Sequence, residues 1–150
     1  MKSENSGTNI IDRGIEIIDL TQQNIEIHGV CGYKDVGKHV ELKRKIDWFK
    51  EYYPKGLRIR ALLSETGGYQ GMLEYIPGKY AHRPVEAEGY MLIHCLFGGF
   101  RNEFKGKGYG TLLIKTDTDR IFDNPDCAGK SPKSAGTGRS RQLFLLSTAA

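Results

Sequence analysis

Three apolar runs follow one another closely between residues 57 and 97, each closed by turn residues, and this leaves few folds open. Residues 57–63 alternate, with Leu57, Ile59 and Ala61 on one side and Arg58 and Arg60 on the other, the period of a half-buried strand. Gly67-Gly68 then suits a hairpin turn. Residues 69–76 form a second strand stopped by Pro77, and residues 78–89, with Pro84, form a connecting loop. Residues 90–97 form the third and most apolar run, as expected of a strand covered on both faces.

The flanking segments supply helices. Leu42, Ile46, Phe49 and Tyr53 recur at spacings of four, three and four, one face at 3.6 residues per turn. Pro54 and Gly56 close that helix. Ile15, Ile17 and Leu20, with Ile10, Ile11 and Ile18 nearby, predict a first strand, and Thr21 caps a short helical stretch through Ile27. Leu112, Leu113 and Ile114 start another helix, but Thr116, Asp117, Thr118 and Asp119 are poor helix formers. Arg58 and Arg60 share one strand face, which could line an anionic site but reads more plainly as solvated.

The expected organisation is a domain over residues 10–123, a flexible tail over 1–9, and a disordered tail over 124–150. This last part mixes Gly, Ser, Pro and Lys and has little apolar surface to bury. With 39% apolar and 27% charged residues, the rest has the composition of a globular domain. No apolar run reaches the roughly 18 residues needed to span a membrane, and residues 1–9 lack the apolar region of a secretory signal. The expected compartment is the cytoplasm. The three cysteines, Cys31, Cys95 and Cys127, form no Cys-x-x-Cys pair, which argues against a zinc site or a disulfide framework.

Chemistry concentrates in Lys105-Gly106-Lys107-Gly108-Tyr109-Gly110-Thr111, between the third strand and a helix start. Glycines let the backbone approach a ligand closely, and a helix N-terminus offers free N–H donors and the positive end of its dipole. Together with Lys105 and Lys107 they make a pyrophosphate cradle. Gly129-Lys130-Ser131 ends like a Walker loop, but Asn124 stands where that loop needs glycine. The glycine spacing also departs from the dinucleotide-binding turn.

Residues 105–110 resemble the acetyl-coenzyme A signature of the GNAT acetyltransferases, Arg/Gln-x-x-Gly-x-Gly/Ala. Gly108 and Gly110 match, and Lys105 replaces the usual Arg or Gln. Residues 89–97 are similar to that superfamily's fourth strand, and Glu74-Tyr75-Ile76-Pro77 with Gly89-Tyr90-Met91 is similar to a YoaP-like branch. The resemblance covers about residues 15–114. It implies an α/β fold with a mixed sheet, a three-layer α/β/α sandwich incomplete at the C-terminus. It also implies transfer of an acetyl group from acetyl-coenzyme A, as cosubstrate, to a small-molecule or peptide amine. Leu96 and Phe97 are then expected to present backbone groups to the pantetheine arm, and Lys105, Gly106, Lys107, Gly108, Tyr109, Gly110 and Thr111 to hold the pyrophosphate. No metal is implied.

His94 is the candidate general base, since a histidine titrates near neutrality; a hydrogen-bonded core histidine is the plainer reading. Strict alternation points Cys95 to the opposite face from His94. Glu74 could orient a substrate amine, but a solvated strand carboxylate is the plainer reading, and Trp48 with Phe49 reads as core and helix surface. The family's fifth strand has no confident counterpart, residues 143–146 being short, and no tyrosine follows Tyr109 to protonate the leaving thiolate. The segment after Ile114 is read as a foreign or out-of-frame extension. Two other functions compete: a non-catalytic acyl-coenzyme A binding module, and a nucleic-acid binder using Lys130, Lys133, Arg139 and Arg141. The latter is disfavoured because its tail has Phe144 as its only stacking aromatic.

Overall fold

The computed structural model describes residues 9–12, 14–66, 68–82, 86–124 and 144–145. Where one strand is expected near the N-terminus there are two, β1 (Asn9–Asp12) and β2 (Ile15–Asp19), paired antiparallel across the turn at Gly14. A four-residue helix α1 (Ile25–His28) and the longer α2 (Val40–Tyr52) follow. Then come β3 (Arg58–Ser64), β4 (Gly68–Pro77), β5 (Met91–Gly98), α3 (Tyr109–Asp123) and β6 (Phe144–Leu145). Among the described residues the fold is mixed α+β: one six-stranded sheet in sequence order, antiparallel from β1 to β5 and parallel between β5 and β6. No described helix is long and apolar enough to cross a membrane. The expected tails fall on residues 1–8, 125–143 and 146–150, outside the described residues.

The sheet has two covered faces. On one, α2 lays Leu42, Ile46 and Phe49 against Ile59, Ala61, Met72, Ile76 and Leu92. This is the helical stripe read from the sequence, and burying Phe49 completely stabilises by about 2 kcal/mol. Pro54, in the 3-10 turn Tyr53–Lys55, and Gly56, in the left-handed region, end the helix. On the other face, Leu113 and Ile121 of α3 pack against Ile15, Ile17, Leu62, Leu73, Tyr75 and Ile93.

Two expectations near the C-terminus are corrected. Helix α3 does not stop after Ile114 but runs from Tyr109 to Asp123. The hydroxyls of Thr116 and Thr118 donate back to the carbonyls of Leu113 (3.0 Å) and Ile114 (2.7 Å), so these residues are accommodated inside the helix. Leu113, Asp117 and Ile121 lie four residues apart on its buried face. Residues 144–145 do form a short strand, parallel to β5, with Phe144 paired to Leu92 and Leu145 to Ile93.

The arginines of β3 are also corrected. Arg60 is 1% exposed. Its guanidinium meets Asp19 of β2 at 2.7 Å and Asp117 of α3 at 3.5 Å. Arg120 of α3 grips both oxygens of the same Asp19 at 2.8 Å. Arg58 donates to the carbonyls of Tyr53 and Leu57 and lies over the Tyr53 ring. Buried charge is stable only when paired, and the Arg60 cluster ties β2, β3 and α3 together.

Candidate functional site

The pairing of β4 with β5 loses its register at one point: Glu74 faces Cys95 while Tyr75 faces Ile93. His94 is therefore an extra residue, a β-bulge, a device that re-aims side chains and is common beside active sites. The expectation that Cys95 points away from His94 fails for this reason. Both residues line one cleft of about 560 Å³, walled by Lys45 and Trp48 of α2, Met72 and Glu74 of β4, and Cys31 of the α1–α2 loop.

Glu74 is at the centre of this cleft and is 2% exposed rather than solvated. Its Oε2 lies 2.6 Å from the Lys45 ammonium and its Oε1 lies 3.3 Å from Nδ1 of His94. Burial opposes the charge, but His94 and Lys45 outweigh it and hold the carboxyl below its ordinary range. The His94 ring is 11% exposed and lies 5.9 Å from the Trp48 ring. Its Nε2 is enclosed and finds no hydrogen-bond partner among the described residues. With Nδ1–H donating to Glu74, Nε2 is left as the acceptor. Lys45 sits 4.1 Å over the Trp48 indole, and His82 stacks at 5.1 Å from that ring. His94 is thus packed and lies beside the Glu74 carboxylate, as the core-histidine reading expects, with Nε2 unpartnered among the described residues.

Burial disfavours the thiolate form of both cleft cysteines. Burial, then the neighbouring Cys31 and Glu74, push Cys95 up to about 11. Burial raises Cys31 as well. A thiol kept protonated is a poor nucleophile. Among the described residues, no group of three or more His, Cys, Asp or Glu side chains is placed to hold a metal ion.

The glycine-rich segment lies at the far end of β5. Lys105, Gly106, Lys107 and Gly108 are exposed. Gly108 is the N-terminal cap of α3 in the left-handed region (φ 78°) and supplies no side-chain cap. The first-turn N–H groups, at Tyr109, Gly110 and Thr111, therefore have no side-chain acceptor from that cap. The start of α3 packs directly on the end of β5: a Cβ on Gly98 would stand 2.7 Å from the Gly110 nitrogen. Leu96 turns toward the α3 face. Phe97 turns toward the α2 face, its ring 4.7 Å from that of Phe100. The residues assigned to the cofactor thus gather at the C-terminal end of β5, with His94 one turn of the pleat behind them.

On its other edge β5 is paired with β6 only at Leu92 and Ile93. From His94 to Gly98 that edge has no strand neighbour among the described residues. Sequence reasoning missed Glu74 as the partner of His94 and Lys45 as the partner of Glu74. Their signal was present only as a charged residue inside an apolar strand and one lysine near the apolar stripe of a helix.

No family model matches this chain, and neither a curated protein nor a solved structure matches it.

Proposed function

We propose that this chain transfers an acetyl group from acetyl-coenzyme A to an amine, within a GNAT-like three-layer sandwich. The observation that carries the reading is the course of β5. It bulges at His94, pairs with β6 at Leu92 and Ile93 among the described residues, and leads into a helix start opened by Gly108. A pantetheine arm needs unpaired strand amides and carbonyls beside it, and the backbone of Leu96 and Phe97 offers them. A pyrophosphate needs N–H donors and positive charge, which Lys105, Gly106, Lys107, Gly108, Tyr109, Gly110 and Thr111 offer.

The amine nitrogen attacks the thioester carbonyl, the carbon–sulfur bond breaks, and coenzyme A leaves as its thiolate. The amine proton goes to His94, while Glu74 fixes the ring through Nδ1 and stabilises the imidazolium. Direct attack fits a cleft whose thiols stay protonated. Most of the acceleration comes from holding the two reactants together.

Calorimetric titration with acetyl-coenzyme A tests the reading. The wild-type chain is expected to bind, and Gly108→Val, which strains a left-handed residue, to bind at least about tenfold more weakly. Thiol release with an amine panel is expected to fall by about 10²–10⁴ in His94→Gln with cofactor affinity unchanged. Equal affinity in Gly108→Val refutes the reading. Binding without thiol release for any amine leaves an acyl-coenzyme A binding module.

A further inference from the structure

The cleft beside Glu74 carries a charge balance that selects what it can hold. Glu74 is the one acidic residue among the described residues lining it, and both its oxygens are engaged, by Lys45 and by His94. Arg44 stands at the mouth of the same cleft, exposed, with no ion pair or hydrogen bond among the described residues. The cleft therefore presents a positive charge with no counter-ion. Two acids lie three residues from Arg44 in sequence: Asp47 is paired with Lys43 at 2.5 Å, and Glu41 opens onto a neighbouring hollow that shares Cys31 and Lys45 with the cleft.

This balance works against a purely cationic acceptor. A polyamine, an aminosugar or a lysine side chain is recognised through free carboxylates, and the described residues of the cleft offer none. A guanidinium suits an anionic group instead, because its planar fork takes a carboxylate through two parallel hydrogen bonds. Trp48 adds an aromatic wall whose indole N–H is buried without a partner among the described residues. The volume of about 560 Å³ falls in the range of small-molecule sites.

We infer that the acceptor is a small amino-carboxylate, a free amino acid or a close analogue, with its carboxylate on Arg44, its side chain against Trp48 and its amine toward His94. As an acceptor assignment it rests on the acetyl-transfer reading; as a binding specificity it is measurable without the cofactor. Trp48 is the only tryptophan of the chain, so its fluorescence reports directly on occupation of the cleft.

The experiment titrates the full chain with L-phenylalanine, L-methionine and L-serine, each beside its primary amide, and with spermidine. At least one acid is expected to bind about tenfold or more tightly than its own amide, and spermidine more weakly than that acid. Arg44→Gln, on the exposed side of α2, is expected to bring the acid down to the level of its amide while leaving Tm and the far-ultraviolet spectrum unchanged. The inference is overturned if amides or spermidine bind as tightly as the acids. It is equally overturned if Arg44→Gln keeps the preference, or if no acid perturbs Trp48. Calorimetry with acetyl-coenzyme A separates the two proposals. No cofactor binding alongside an intact acid preference removes the transfer reading alone, and cofactor binding without that preference removes the acceptor assignment alone.

Discussion

Two carboxylates are buried on opposite faces of one sheet, and their surroundings drive them in opposite directions. Glu74, on the α2 face, is 2% exposed and is held below its usual range, because His94 and Lys45 outweigh burial. Asp117, on the α3 face, is fully buried and is raised. There burial outweighs the Tyr75 hydroxyl, Arg60 and Arg120, whose guanidiniums stay at 3.5 and 3.9 Å. Glu74 has close partners and a cleft in front of it. Asp117 has distant partners and no opening. A charged group that is satisfied and still borders a cavity is available for chemistry, whereas one sealed behind a helix can only fix that helix in place.

The largest effect expected from breaking this comparison is on the sealed side. Arg60→Met leaves Asp19 and Asp117 without their shared buried cation. It is expected to cost about 3–5 kcal/mol, the range for removing one partner of a buried pair, measured by urea unfolding at neutral pH. A loss below about 1 kcal/mol contradicts the assignment of Arg60 as the tie between β2, β3 and α3.

On the open side the effect is smaller, because Lys45 is a third exposed and can turn to water. Glu74→Gln is expected to lose about 1–3 kcal/mol at neutral pH. The sign follows from the depressed folded-state value. Wild-type Glu74 contributes its stability above the unfolded carboxylate range, near 4.3, and loses it as pH falls through the lower folded value. The gap between wild type and Glu74→Gln is therefore full at pH 6–7 and closes below about pH 4. A pH-independent gap refutes the ionic role of Glu74.

The same contrast explains what the sequence made legible. Helix α2 was readable because Leu42, Ile46 and Phe49 form an uninterrupted apolar stripe. Strands β3, β4 and β5 were readable because apolar runs broken by Gly and Pro leave little else. Helix α3 was not, because an aspartate occupies the middle of its buried stripe, and its match lies in Arg60, with two whole strands between them along the chain. The bulge was invisible for a related reason. A one-residue slip is a property of two strands together, so His94 and Cys95 looked like neighbours on opposite faces. Of the candidate site, the glycine loop was legible as a local pattern. The Glu74–His94–Lys45 set was not, since it joins a helix and two strands that only the folded sheet brings into contact.

The subtlest expected effect reverses the sign of the Glu74 result. Asp117→Asn keeps the size of the side chain and removes its charge. A folded-state value raised above the unfolded one means that ionised Asp117 opposes folding, and that the opposition grows as pH rises above about 3.9 and through the folded value. The substitution is therefore expected to leave stability unchanged near pH 3, where the aspartate is protonated in both states. At pH 7 it is expected to raise stability by up to about 1 kcal/mol, part of the relief being offset by the weaker hold on Arg60. Thermal melts across pH 3–8 decide the matter. A curve for Asp117→Asn that falls away from wild type with rising pH shows that Arg60 and Arg120 outweigh burial after all, and it places both carboxylates of the sheet in one class.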